Sequence, residues 1–280
     1  MAGASMKDIK LRIRSVESTM QITKAMQLVA TSKLRRAKER MESSKPYARI
    51  SAAAMAAAVA SCDDPAAPYV CPRPGKRRCY VVIAGDRGLA GGYNANVFKA
   101  LAAHAEGADY CTLPLGRKAV ERCRRMGVEL LTDEYARVEG VSVGNCYQMA
   151  RLLLEGYDAQ RYDELWLAHT SFVSMMSQEV HIERLLPVEP SQAPRAPVST
   201  VYELPPAETL AHVLPDFLAG RLYSALCDAF ASEVAARRSA MDSATKNAGE
   251  MIADLTLRYN RARQGAITQE ITEIVAGAEH

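Results

Sequence analysis

The residues best placed to do chemistry lie in Gly85-Asp-Arg-Gly-Leu-Ala-Gly-Gly92. The stretch follows an apolar run, Cys79 to Ala84, and opens a helix-like segment, Tyr93 to Ala105. In that context a glycine-rich turn can cradle phosphate on backbone N–H groups. The spacing departs from G-x-G-x-x-G, however, and no Gly-Lys-Ser/Thr follows. The expectation is a tight turn without a ligand, with Arg87 offered to a partner. The histidines, His104, His169, His181, His212 and His280, are scattered, and no two have metal-ligand spacing. Ser171, Ser174 and Ser177 lack the glycine-flanked elbow of a hydrolase nucleophile. Asp133, Glu134 and Glu139 read as solvated loop acids. Seven cysteines occur without a CxxC, which fits reduced thiols better than a disulfide framework or a zinc site. No catalytic residue, cofactor or metal site is expected.

Binding is better represented than catalysis. Lys33-Leu-Arg-Arg-Ala-Lys-Glu-Arg40 is a basic run of the kind that meets nucleic acid. No aromatic residue interleaves it, and its apolar positions already fit a packing seam. It is therefore expected to face an acidic protein surface, with no nucleic-acid partner. The final segment, Ala266 to Ala278, carries Ile267, Ile271, Ile274 and Val275 on overlapping helical faces and has no Lys or Arg. A helix end this apolar is either paired within the fold or inserted into another protein.

The elements that position these residues are two long helices and what lies between them. From Asp216 to Val275 there is no proline, and Leu222, Leu226, Phe230, Val234, Met241, Ala248, Met251 and Leu255 recur at helical steps. At about 1.5 Å per residue such a helix runs roughly 90 Å and needs a partner along its length. Ile9, Ile13, Val16, Met20, Thr23, Gln27, Ala30, Leu34, Ala37 and Met41 make a coiled-coil seam near the N-terminus. Ile22, Met26 and Val29 predict a second buried stripe beside it, and Pro46 predicts a kink. The first fifty residues hold twelve Lys or Arg against four acids, a net +8, while from Glu208 onward seven basic residues face ten acids, a net −3. Opposite charge favours pairing of the two ends.

Between them the period changes. Strands at Cys79–Ala84, Asp109–Pro114, Glu164–His169 and Glu179–Val188 alternate with helices at Tyr93–Ala105, Arg117–Met126 and Val143–Glu155, which predicts a small Rossmann-like α/β domain with a largely parallel sheet. The expected layout is a coiled-coil helix over 1–60, a linker over 61–76, the α/β domain over 77–207 and a second coiled-coil helix over 208–280. The fold class is thus α/β, a long antiparallel coiled coil with an inserted α/β domain. Pro215 is expected to split a short first helix from the long one. No run suits a membrane span, and no signal-peptide core opens the chain.

Several stretches together resemble the γ subunit of F-type ATP synthase, bacterial type. They are Met6-Lys-Asp-Ile-Lys-Leu-Arg-Ile-Arg-Ser-Val16, Ile22-Thr-Lys-Ala-Met26, Ala30-Thr-Ser-Lys-Leu-Arg-Arg36, Gly85 to Asn94, Met241 to Ala248 and Asp254 to Ile274. The last is the most specific. The resemblance implies a central rotor shaft that couples ion-driven rotation of a c ring to conformational cycling of catalytic β subunits. It implies a non-catalytic chain whose partners are the α3β3 ring of F1, the ε subunit and the c ring of Fo. Arg263, Gln264, Thr268 and Ile271 would meet the α3β3 ring, with Met26 and Arg237 near the β lever. Arg87, Tyr202 and Glu203 would face ε or the c ring. The chain lacks the regulatory cysteine insertion of chloroplast members, so thiol control is not expected. A place on the cytoplasmic side of a bacterial inner membrane follows from the same resemblance. The competing reading is a nucleotide-binding α/β protein on a coiled-coil scaffold.

Overall fold

The computed structural model describes residues 6–62, 67, 69–189 and 204–278. In chain order the elements are α1 (Met6–Ala60), β1 (Arg78–Ile83), α2 (Tyr93–His104), β2 (Tyr110–Leu115), α3 (Arg117–Met126), β3 (Glu129–Leu130), α4 (Val143–Asp158), β4 (Glu164–Phe172), β5 (Gln178–Leu186) and α5 (Pro206–Ala278). The chain divides into two compact units, one of residues 1–31 with 237–280 and one of residues 32–236. Both breaks fall inside the long helices.

The larger unit is built on a five-stranded sheet of order β3-β2-β1-β4-β5. β1 pairs in parallel with β2 and with β4, β2 in parallel with β3, and β4 antiparallel with β5. β1 is apolar at nearly every position because both faces are covered, as parallel strands require. Its side chains alternate between two cores. Cys79, Val81 and Ile83 join Leu113 and Leu115 under α4, with Met55 and Val59 of α1 and Leu210, Leu214 and Leu218 of α5. Tyr80 and Val82 join Val97, Leu101, Ala119 and Cys123 under α2 and α3. α4 starts on a capping box in which Ser142 and Asn145 each accept from the other's backbone N–H.

Two expectations need correction, the break at Pro215 and the second buried stripe on α1, and one short strand was not foreseen. α5 runs unbroken through Pro215. Proline there removes one backbone hydrogen bond, a cost of about 3 kcal/mol. Leu210, Leu214 and Leu218, all fully buried on one face around it, return about 1.5–3 kcal/mol each and keep the helix whole. α1 is continuous through Pro46, where a kink and not a break is expected, with Met41, Ala48 and Met55 buried on either side. The short strand β3 was hidden in sequence because two residues carry no period.

The sheet fixes the glycine-rich loop by a close contact. Gly116, which follows β2, has φ 97°, and a Cβ there would sit 2.2 Å from the Ala84 carbonyl oxygen. Only glycine lets the chain turn into α3 at that point.

In the smaller unit, residues 6–31 of α1 pack antiparallel against α5. Thr23 faces Thr245 and Gln27 faces Asp242, so numbers rise on one helix as they fall on the other. Thr23, Ala30, Met241, Ala248 and Leu255 are buried along this seam, and Ile9, Ile13, Val16 and Met20 are half-buried on it. The expected second stripe is not covered by the described residues. Ile22 is 58% exposed and Val29 59%, with only Met26 half-buried. A two-helix pair can bury one stripe per helix, and the second has nothing of its own to meet.

Candidate functional site

The glycine-rich loop is where a phosphate site would have to form, and the chain occupies it with its own groups. The Gly85 N–H donates to Asn94 Oδ1 at 2.8 Å, and Asn94 Nδ2 reaches back to the Arg87 carbonyl at 3.4 Å. Asp86 accepts the backbone N–H groups of Val138 and Glu139 at 2.9 and 3.2 Å. Those donors hold the loop against the chain that follows β3. Beneath the loop lies α5: a Cβ on Gly85 would come within 2.8 Å of the Glu233 carboxyl group, and Tyr93 Oη donates to the Ala229 carbonyl at 3.0 Å. The glycines let the loop sit against a buried acid on the long helix. Arg87 and Leu89 are exposed at the tip, Leu89 with φ 62°. The sequence singled out the loop correctly, but not Asn94 and Glu233 as the residues that close it. The asparagine ending Gly91-Gly-Tyr-Asn94 was the available signal.

β4 places a second chemical-looking set, but in an order that does not fit hydrolysis. Ser171 Oγ donates to Asp228 Oδ2 at 3.1 Å and lies 3.4 Å from His169 Nε2. In a triad the imidazole separates the acid from the nucleophile; here the serine touches the acid directly. Burial is the main reason that the His169 pKa falls to about 4, which leaves the ring neutral near pH 7, and among the described residues its Nδ1 has no hydrogen-bond partner. Asp228 also accepts the Phe172 N–H at 3.1 Å, and Arg221 is clamped on Glu183 by two hydrogen bonds. This arrangement ties β4 and β5 to α5. All seven cysteines are free; Cys79 and Cys111 face each other across β1 and β2, where burial pushes the Cys79 thiol well up. Among the described residues no group of three or more His, Cys, Asp or Glu could hold a metal, and no helix is long and apolar enough to cross a membrane.

The surfaces suited to function are those of the helices in the smaller unit. On α5, Gln264, Thr268 and Ile271 share a helical face, and Arg263 adjoins it; all four are exposed. Thr268 Oγ1 donates to the Gln264 carbonyl at 2.9 Å. Ile267, Ile271, Ile274 and Val275 are between 48% and 66% exposed. On α1, Leu11, Ile22, Leu28 and Val29 are exposed as well. Apolar side chains repeated along exposed helices are the kind of surface at which proteins interact. Met26 and Arg237 are half-buried in the same unit. Arg87 belongs to the other unit, and Tyr202 and Glu203 lie outside the described residues.

Comparison with known proteins agrees over the full length. The family model described as ATP synthase matches residues 5–280. An ATP synthase gamma chain of Ruminococcus albus is 44% identical, with 97% of this chain and 96% of that one covered. One from Alkaliphilus metalliredigens is 40% identical over 99% of each. Among solved structures, a chain in the Euglena gracilis mitochondrial ATP synthase, OSCP/F1/c-ring in rotational state 3, shares the fold with a TM-score of 0.66. It has 16% identity, and 98% of this chain and 93% of that one are covered.

Proposed function

Because this chain belongs to the ATP synthase gamma-chain family and is a central-stalk subunit of an F1Fo ATP synthase, we propose that its exposed helical faces are the surface on which a catalytic ring reads its orientation. The observation that carries this is the uncovered apolar face at the end of α5, Ile267, Ile271, Ile274 and Val275, beside Arg263, Gln264 and Thr268.

The chain supplies contacts and no catalytic group. Its helices present different side chains on different sides. A ring of chemically identical β subunits around them would therefore meet different surfaces at each position. Any β conformation that binds one side better is favoured while that side faces it, so turning the shaft changes which site is open. Met26 and Arg237 would meet the moving part of β, and Arg263, Gln264, Thr268 and Ile271 the collar of the α3β3 ring. The α/β unit would carry ε and rest on the c ring, with Arg87 and the segment containing Tyr202 and Glu203 as contacts. The protein would then sit peripherally on the cytoplasmic face of a bacterial membrane. The alternative, nucleotide binding at the glycine-rich loop, is disfavoured by Asn94 and Glu233, which take the space and one of the donors that a phosphate needs.

Co-expression with the α and β subunits of the same source tests the assignment. The expected result is a stable complex of the three with ATPase activity. A chain that purifies alone while α and β assemble without it would overturn the reading. Titration of the isolated chain with ATP, read by calorimetry, should give no heat of binding.

A further inference from the structure

The groove between α2 and α3 is used by none of the surfaces above. Phe98 and Ala102 of α2 line its apolar part, Lys99, Arg122 and Arg125 its charged part, and its volume is about 440 Å3. α3 is basic out of proportion to its length: Arg117, Lys118, Arg122, Arg124 and Arg125 against one acid, Glu121. Three of these cations are engaged. Lys118 pairs with Glu121 at 2.6 Å, Arg124 pairs with Asp133, and Arg117 Nε donates to the Asp86 carbonyl at 3.2 Å. Arg122, Arg125 and Lys99 make no ion pair among the described residues, and all three are exposed.

Packing does not require these charges. The inner face of α3 is Ala119, Val120 and Cys123, all buried. Arg122 and Arg125 lie three residues apart on one side of the helix, where like charges repel. The Glu121 carboxyl is already held low, first by Lys118 and in part by Arg117 and Arg125, so the groove's own acid is spoken for. What remains is a concave strip with an apolar patch and a surplus of positive charge.

We propose that this groove docks an acidic amphipathic segment of another subunit of the same assembly, its carboxylates on Lys99, Arg122 and Arg125 and a small apolar side chain against Phe98 and Ala102. The proposal rests on the central-stalk assignment only in naming the partner as a subunit. Charge complementarity selects an acidic partner. Phe98 and Ala102 give a polypeptide side chain an apolar seat beside the cations, which a lipid headgroup phosphate does not use. Nucleic acid is disfavoured because Phe98, the aromatic residue of the groove, is 8% exposed and cannot stack on a base.

Carbodiimide treatment of the assembled complex tests it, since the reagent joins a lysine amine only to a carboxylate in contact. Peptide mapping should find Lys99 linked through an amide to an Asp or Glu of another subunit. The yield should fall about fivefold or more in the Arg122→Glu, Arg125→Glu complex and likewise in about 0.5 M salt, where exposed charges are screened. An amide between Lys118 and Glu121 within the chain serves as the reactivity control. Absence of a Lys99 link with that control present, or a yield unchanged by the double reversal, overturns the proposal. So does groove-dependent binding to phosphatidylserine-containing vesicles without a Lys99 link, which would assign the charge to lipid. The presence of α and β in the same wild-type preparation reads the central-stalk assignment separately; their absence would remove that assignment and this proposal together.

Discussion

Gly220 of α5 lies against the ring of Tyr47 on α1: a Cβ on Gly220 would fall 2.9 Å from Tyr47 Cε1 and 3.0 Å from Ser51 Oγ. The two long helices approach at that point because one of them has no side chain. Tyr47 Oη is in turn 3.2 Å from Tyr147 Oη, and Tyr147 donates to Asp216 at 2.7 Å, so the ring is tied to α4 and α5.

Alanine should therefore act oppositely at two glycines of the same helix. A Cβ on Gly249 would meet nothing within 4 Å. Gly249→Ala should raise stability by about 1 kcal/mol through helix propensity alone. Gly220→Ala gains the same propensity but must displace Tyr47 and Ser51, and a net loss of about 1 kcal/mol is expected. Urea unfolding of the two variants beside the parent gives the sign of each, and stabilisation by Gly220→Ala would contradict the close approach.

The polar pair in the smaller unit should contribute modestly. Thr23 Oγ1 and Thr245 Oγ1 are 2.8 Å apart, and each also has a carbonyl acceptor on its own helix, Met20 and Met241. Thr245→Val removes the bond across the pair and the one to the Met241 carbonyl but leaves Thr23 its Met20 acceptor, so the cost should be about 0.5–1.5 kcal/mol. A double-mutant cycle with Thr23→Val should show coupling between the sites; strict additivity would mean that the hydroxyls do not interact.

Stability should fall in mild acid because of His169. Its folded pKa is near 4 against an ordinary 6.5, lowered first by burial and also by Arg221 and His181, with Glu183 and Asp228 opposing. Below pH 6.5 the unfolded chain binds a proton that the folded chain refuses, so stability is lost as pH falls from about 6.5 toward 4. The full loss is on the order of 3 kcal/mol. His169→Gln should flatten that part of the pH profile, measured by urea midpoints between pH 7 and 4.5. An unchanged slope in the variant would place the acid sensitivity elsewhere.

The far end of α5 should matter to turnover but not to folding. Arg263 and Gln264 are exposed and lie in the smaller unit. Arg263→Ala with Gln264→Leu should leave the isolated chain's melting within about 0.5 kcal/mol of the parent, as for other exposed sites. ATPase activity or assembly with α and β should nevertheless drop. Full activity in the assembled variant would remove these two residues from the contact set.

The long helices, the α/β alternation and the absence of a nucleotide fingerprint are all legible in the chain, because each is a matter of period or local spacing. α3 is legible to its ends, from Arg117 to Met126, because Gly116 and Gly127 bracket it. The errors at Pro215 and at Ile22 and Val29 share one cause. Local rules say what a residue prefers, and whether a neighbour overrides that preference depends on what lies across from it. Three buried leucines hold the helix together at Pro215, while no described element of the chain covers Ile22 or Val29.

The sequence by itself determined the two helices, the Gly85–Gly92 turn and the family signatures, since these depend on residue order along a few turns. Only the tertiary structure decided that Asn94 and Glu233 close the turn, that Ser171 touches Asp228 rather than a base, and that Ile22 and Val29 of α1 and Ile267, Ile271, Ile274 and Val275 of α5 stay exposed among the described residues. Gly85 and Asn94 are nine positions apart, but the contacts of Ser171 with Asp228 and of Gly85 with Glu233 join residues distant in the chain, and proximity of that kind is fixed by packing, which leaves no spacing to read.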